Sequence, residues 1–377
     1  MKKILHIMHD DKFNDRAVIR FDAVYPGGNI YASLHPKSND FKYIKSSKIK
    51  KFTFSQICDI LVNEELGAVV FHSLPHSRAS LFRQIPNDVK IVWIGWGYDY
   101  YPTLLRKKFH TPLGLLEPIT RKKFIGGQYR SKQVISSFKK IIKRYTGLRG
   151  GVLTDRDYSR VDFFIPVLRR EWQWARDLNP LFGAKYSEWN YSLDSEIDVQ
   201  KIDSSAENIL IGNSATLTNN HLDAFKAIAD FRIPGEFNKV ICPLNYGDMN
   251  LAVEIANQGK YYFGNNFCPL TEFLEKNKYW EYMRSCHTVV MNHIRQQAGG
   301  NVNRAFSSGA RVVLNPRSVF AEEYADRGLS FDVISNPSCG HLTVDTKLSN
   351  MQLQREHKMS KSNPDILGNF INELELT

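Results

Sequence analysis

No long hydrophobic run occurs in this chain. None of its 377 residues falls in a stretch approaching the ~20 consecutive apolar residues that a membrane-crossing helix needs. The opening run, Ile4 to Met8, is too short for a secretory leader and is interrupted by His6, so a cytoplasmic protein is expected. Cysteine is sparse as well. Cys58, Cys242, Cys268, Cys286 and Cys339 are widely spaced and contain no Cys-x-x-Cys pair, which argues against a disulfide frame or a zinc site of that kind. An isolated Asp-x-Asp loop is also missing. Asp155-Arg-Asp157 has the spacing, but Arg156 and Tyr158 make it an indifferent metal motif, so no metal site and no cofactor is expected.

Acidic residues are nearly absent from 101–150. Thirteen Lys or Arg stand there against the single acid Glu117, so this segment accounts for the whole formal excess of +11 and leaves the remainder close to neutral. The basic residues alternate with Leu104, Leu105, Phe109, Leu113, Leu115, Leu116, Phe124, Ile141 and Ile142. Such a surface can lie on an anionic membrane, bind nucleic-acid phosphates, or simply be solvated. Nucleic-acid stacking would call for exposed aromatic residues. The apolar partners here are mostly aliphatic, which favours the membrane surface and no nucleic acid.

What is present is an alternation of strand-like and helix-like segments over a chain long enough for two domains. Strands are expected at Ile4–Met8, Ala68–Phe71, Ile91–Ile94, Gly151–Thr154 and Phe163–Ile165. Others are expected at Ile209–Ile211, Lys239–Pro243, Tyr261–Phe263, Thr288–Met291 and Arg311–Leu314. Helical patterns fall near Phe54–Glu65, Arg78–Arg83 and Val134–Arg144. The acid-tinged stretch Tyr191–Glu207 marks a boundary, giving domains at 1–195 and 205–345. A tail at 346–377 runs through a polar stretch, Lys347–Asn363, to an apolar-periodic final helix. No internal sequence repeat is evident. The fold class is α/β.

Two loops in the second half carry the chemistry. After the apolar run Ile209–Ile211, the chain breaks into Gly212-Asn-Ser214 and then turns helical. After Thr288–Met291 it breaks into His293-Ile-Arg-Gln-Gln-Ala-Gly-Gly-Asn-Val-Asn303. A strand that ends in small residues and leads into a helix presents unpaired N–H groups to an anion, and in open α/β sheets ligands sit at such strand ends. Arg295 offers a fork for phosphate, while Gln297, Asn301 and Asn303 can meet hydroxyls and carbonyls. Two ordinary turns remain the plain alternative.

The pieces Gly212-Asn-Ser214, Asn219-Asn-His221, Pro243-Leu-Asn-Tyr246, Arg295-Gln-Gln297 and Gly300 resemble those of a known family. So do His6-Ile-Met-His-Asp-Asp11, Phe71-His72 and Trp96-Gly-Tyr-Asp99. The family is that of the TDP-N-acetylfucosamine:lipid II N-acetylfucosaminyltransferases, the 4-alpha-L-fucosyltransferases of glycosyltransferase family 56. The resemblance runs from Met1 to about Phe320 and departs from the family pattern at Tyr98 and after Gln297. It implies the GT-B architecture, two doubly wound Rossmann-like domains facing across a cleft. It also implies transfer of an acetamido-dideoxyhexose from a dTDP-sugar to an undecaprenyl-diphosphate-linked saccharide, in enterobacterial common antigen or O-antigen synthesis at the cytoplasmic face of the inner membrane.

On this reading Gly212, Asn213, Ser214, Tyr246, Arg295, Gln297, Asn301 and Asn303 bind the donor. His72 and Trp96 meet the acceptor, and Asp99 or Asp11 takes the acceptor proton. A sugar-nucleotide epimerase of the same fold and a basic nucleic-acid-binding protein are the rival functions. The first would need no membrane surface, and the second would leave both loops without a role.

Overall fold

Leu66–Phe71 is buried along its whole length, and Ile209–Ile211 likewise. Burial on both faces is what strands of a parallel sheet require, since crossover helices cover each side. The computed structural model describes residues 1–34, 40–110, 113–125, 151–188, 200–231, 237–335, 342–361, 363 and 365–376, and arranges them in two compact units.

The first unit holds a seven-stranded sheet. Its strands are β1 (Lys3–Met8), β2 (Asn29–Ser33), β3 (Lys50–Lys51), β4 (Leu66–Phe71), β5 (Lys90–Ile94), β6 (Phe163–Ile165) and β7 (Lys185–Tyr186). They pair in the order β3-β2-β1-β4-β5-β6-β7, all parallel. The second unit holds β8 (Asn208–Ile211), β9 (Val240–Pro243), β10 (Phe267–Leu270), β11 (Cys286–Met291), β12 (Arg311–Leu314) and β13 (Asp332–Val333). Their order is β10-β9-β8-β11-β12-β13, again all parallel. Each sheet grows outward from its first strand and then reverses, between β1 and β4 in one and between β8 and β11 in the other. These reversals are the topological switch points of doubly wound folds.

Several details differ from the sequence reading. Residues 151–154 are not a strand; Thr154 caps a short helix, Asp155–Tyr158. Tyr261–Phe263 ends the helix Met249–Phe263, and the strand follows at Phe267. The polar stretch after 346 is the helix Val344–Lys361, which buries amides (Asn350, Gln354) rather than hydrocarbon and so shows no apolar period. The helix expected at 134–144 lies outside the described residues.

The units also cut across the linear division of the chain. Residues 109–125 belong with the second unit, and 361–376 with the first. The physical reason is burial. Leu116 and Phe124 enter the apolar core of the second unit, while Leu367, Phe370, Ile371, Leu374 and Leu376 enter that of the first, beside Ile4, Val70 and Phe163. Phe370 meets Phe163 edge-on with centroids 5.4 Å apart. Phe370→Ala should therefore cost ~3–5 kcal/mol, read as a lower urea midpoint with strong loss of the first unit's signal. An unchanged midpoint would show that the last helix is not part of that core.

Candidate active site

In the second unit, the two loops singled out in the sequence follow β8 and β11, the strands on either side of the switch point. Gly212 has φ +71°, and a Cβ there would come within 2.5 Å of the His221 Nε2, so backbone conformation and space both demand glycine. The buried Asn219 amide donates to the Ser214 carbonyl at 2.7 Å, to its hydroxyl at 3.1 Å and to the Thr216 hydroxyl at 2.9 Å, shaping the loop from inside. A third loop joins them. Ala215 donates to the Tyr246 carbonyl at 2.7 Å and accepts from the Asp248 N–H at 3.0 Å, which brings in the turn after β9. The Tyr246 side chain stands 72% exposed there.

Gln297 locks the loops together. Its Nε2 donates to the Asn213 Oδ1 at 2.9 Å and the Thr216 hydroxyl at 3.1 Å, and its Oε1 accepts from the Thr218 hydroxyl at 2.8 Å. From sequence this amide is expected to meet the ligand; the structure engages both its N–H groups within the protein, so Gln297 positions rather than contacts. Next to it Ala298 takes a left-handed conformation (φ +56°) and opens the helix Gly299–Ser308 without a side-chain cap. Such a non-glycine residue is uncommon and marks a constrained turn. Arg295 is half-buried and donates to the Gln296 carbonyl at 3.1 Å through one nitrogen.

Asn301 and Asn303 are not brought to these loops. Asn301 donates to the Tyr279 hydroxyl, and Asn303 accepts from the Tyr324 hydroxyl and from Gln354. On a helix their spacing turns them toward neighbouring helices, which a loop-like reading of 293–303 does not foresee.

A cluster of three asparagines also escapes the sequence reading. Asn292 and Asn315 sit buried just past the ends of β11 and β12, Asn220 sits buried just before the helix His221–Phe231, and the three bond to one another. They also hold residues 113–125. Asn220 accepts from the Glu117 N–H at 2.9 Å, Asn315 donates to the Glu117 carboxylate at 2.9 Å, and Asp223 caps Ile119 and Thr120. The apolar residues expected to face a membrane are core residues here: Leu104, Leu105, Phe109, Leu115, Leu116 and Phe124 are all buried. Arg106, Lys107, Lys108, Arg121 and Lys122 are exposed or nearly so, whereas Lys123 pairs with Glu254 at 3.2 Å. Arg130, Lys132, Lys139, Lys140, Lys143, Arg144 and Arg149 lie outside the described residues.

The first unit repeats the arrangement after β1, β4 and β5. Asp99 is fully buried and both its oxygens are engaged. One accepts from the Leu74 N–H at 2.9 Å and the Trp93 indole at 2.7 Å, the other from the Trp96 N–H at 2.9 Å. Burial pushes its carboxyl up, and the donated hydrogen bonds oppose that. The carboxyl expected from sequence to act as base is so enclosed that it holds two strand-end loops in place. Trp96 stacks on Phe13 at 4.9 Å.

Asp11 has the opposite setting. It is half-exposed, accepts from the Phe13 N–H at 3.0 Å, and lies 3.7 Å from the His9 Nε2. Burial pushes its carboxyl up, but the His9 ring and the Phe13 N–H outweigh this and hold it below the usual range. His9 also meets the Ser73 hydroxyl at 3.3 Å and the Tyr98 hydroxyl at 3.2 Å. No role is assigned to His9 from sequence, although its place one residue beyond β1 marks it as a strand-end side chain.

His72 is fully buried and bonds through Nε2 to the His6 Nδ1 at 3.0 Å. The tautomers follow from Asn29, whose Nδ2 donates to Asp22 and to the Tyr25 carbonyl, so its Oδ1 accepts from the His6 Nε2–H. His6 Nδ1 is then the acceptor, and His72 donates to it. The possible metal pair is also accounted for: Asp157 pairs with Arg83 at 2.7 Å and completes the Thr154 cap. Among the described residues no group of three or more His, Cys, Asp or Glu is placed to hold a metal ion, and no helix is long and apolar enough to cross a membrane.

Comparison with known proteins agrees with this arrangement. Residues 189–367 match the family described as 4-alpha-L-fucosyltransferase, glycosyl transferase group 56, so the resemblance seen in the loop motifs is borne out over that part of the chain, and the protein is a glycosyltransferase. Among solved structures, Anabaena HepE in complex with UDP is similar at 11% identity and a TM-score of 0.58, covering 98% of each chain. HepE is also known with UDP-glucose. Sucrose-phosphate synthase from Thermosynechococcus elongatus matches at 9% identity and a TM-score of 0.57, covering 100% of this chain and 98% of its own. These likenesses show the GT-B fold.

Buried histidines give the protein a pH signature. Burial lowers His6 from its ordinary 6.5 to about 4, and His221 and His293 to about 3. Between pH 6.5 and about 4 the unfolded chain takes up protons that the folded chain refuses. Their stabilisation is therefore complete above 6.5 and falls as pH drops, by roughly 1.4 kcal/mol per unit for each fully excluded proton. The buried Asp99, whose carboxyl is pushed up, acts in the opposite direction. Urea midpoints at pH 7.5, 6 and 5 should decline in that order, and equal midpoints would mean that these rings are hydrated.

Proposed function

We propose that this glycosyltransferase moves an acetamido-dideoxyhexose from a dTDP-sugar to an undecaprenyl-diphosphate-linked saccharide. The observation that carries the donor half is the meeting of the Gly212–Ser214 and Arg295–Gln297 loops at one switch point, tied by the Gln297 amide. Diphosphate oxygens there would accept from the uncapped N–H groups opening Gly299–Ser308 and from Arg295, countering the charge that develops as the sugar leaves. Tyr246, held against the same loop with its ring exposed, is suited to stack on the base. The family resemblance favours dTDP; HepE, similar in fold, is known with UDP.

The acceptor falls to the first unit. Transfer to a hydroxyl requires that its proton be taken up, and the half-exposed Asp11 carboxyl, held below its usual range beside His9, is open to an acceptor where the buried Asp99 is not. In this reading His72 and Trp96 shape the acceptor surface.

Calorimetry with dTDP and UDP, followed by transfer assays, tests both halves. Arg295→Ala should weaken dTDP binding by ~1.5–3 kcal/mol, the range for a hydrogen bond to a charged group. Asp11→Asn should leave that affinity unchanged and lower turnover ~10²–10⁴-fold. Unchanged dTDP affinity in folded Arg295→Ala would remove the donor assignment, and an active Asp11→Asn enzyme would remove the base.

Association with the anionic cytoplasmic face of the inner membrane belongs to the same proposal, now supported by exposed charge alone. Replacing Arg106, Lys107, Arg121 and Lys122 with Gln should release the protein from anionic vesicles. Salt should weaken the parent in the same direction, since the screening length is only about 10 Å at 0.1 M. Vesicle binding that is equal in the two proteins would defeat this part.

A further inference from the structure

The first unit contains a cation without a counter-charge. Arg78 ends the short turn His76–Arg78 after β4, beside the switch point of its sheet, and is half-buried. Among the described residues its guanidinium has no hydrogen bond or ion pair, in contrast to Arg83 a turn later, which pairs with Asp157. Tyr98 is the group that acts on it electrostatically, and burial alone draws the guanidinium below its ordinary range. A desolvated charge left unpaired is costly, and five fixed N–H donors ask for a planar or multi-oxygen anion.

Its surroundings are those of a ligand site. The Tyr98 hydroxyl bonds His9, and His9 bonds the Ser73 hydroxyl. Ser73 holds φ at +127°, a conformation that an L residue rarely adopts and that the fold must sustain at a cost. Strain, two hydroxyls and an imidazole thus converge at the ends of β1, β4 and β5, and the loop that runs from Ser73 to Arg78 is tied to the Tyr98 loop through the Leu74 N–H on Asp99. Oxygens bearing negative charge satisfy such a set of donors, and a phosphate offers enough of them for a forked contact from the arginine together with hydroxyl contacts.

We propose that Arg78, with Tyr98 and Ser73, forms a phosphate subsite at the switch point of the first sheet, and that it holds the diphosphate of the acceptor. The inference rests on the acceptor reading given above and adds the residues that would recognise it. It separates the two phosphate tasks of the protein: one switch point for the donor, the other for the acceptor.

The test uses the full chain saturated with dTDP, so that the donor loops are occupied, and follows binding of inorganic pyrophosphate and of farnesyl diphosphate. Wild type should bind both. Arg78→Gln should weaken both by about tenfold or more, Arg78→Lys should recover part of the loss, and dTDP affinity should stay constant throughout. Tyr98→Phe, which removes one hydroxyl and no packing, should weaken both several-fold and stands in if Arg78→Gln fails to fold. Equal diphosphate binding in these variants, or no diphosphate binding by wild type, overturns the subsite. Binding of pyrophosphate without the prenyl ester makes it a site for free phosphate and overturns the acceptor assignment. Failure of dTDP to bind would instead strike the donor reading, leaving the Arg78 comparison to be made without it.

Discussion

In an all-parallel sheet every strand must be reached by a crossover, so all carboxyl ends lie along one edge. Where the order reverses, the two flanking connections depart to opposite faces and leave a crevice between their loops. Both sheets of this protein reverse after three strands, and that reversal selects which loops can hold a ligand. The loops after β8 and β11 are neighbours only because those strands pair, Leu210 beside Val289 and Ile211 beside Val290. The Gln297 amide then fixes their spacing, and Gly212, Asn213 and Ser214 on one side can act with Arg295 on the other.

The groups that keep these edges in shape are buried and polar. Asp99 gathers N–H groups from two loops and an indole, His6 and His72 pass one hydrogen bond along from Asn29, and the three asparagines knit the ends of β11 and β12 to the start of the helix His221–Phe231. The histidines and asparagines are satisfied by partners far away in sequence, and Asp99 by one distant loop together with two nearby tryptophans. Removing one partner leaves another buried without its bond, which costs more than the bond itself contributes on balance. Conversely, polar groups in the same regions that lack partners stand out. Among the described residues the ring nitrogens of His293 and one of His221 lack a hydrogen-bond partner beside the loops after β8 and β11, and so does the Arg78 guanidinium in the other unit.

Asp99 and Asp11 show why residue type and strand-end position are insufficient to assign chemistry. Both follow a strand, both can enter a ligand site, and nothing local distinguishes them. Asp99 is enclosed because Trp93 turns its indole inward and because the loop after β4 arrives from 25 residues away. Asp11 stays open because its side-chain partner, His9, is itself half-exposed. Asn303 makes the same point on a helix, where a register of a few residues sends the amide toward Tyr324 and away from the loops.

Apolar runs such as Ala68–Phe71 and Thr288–Met291, broken by glycine and small polar residues, determined by themselves that the chain is α/β with parallel strands. They also placed the strand-end loops at Gly212 and Arg295, because strand burial and tight turns are local demands written in local composition. The repetition of one strand order in both sheets was not legible, since topology constrains pairing and leaves residue identity free. The destination of residues 109–125 and of the last helix was settled by which core accepted Phe124 and Phe370. The tertiary structure alone decided which carboxylate is open, which amide is engaged and which arginine lacks a partner. Those outcomes depend on desolvation and on donors supplied from distant strands, and no short window of sequence contains either.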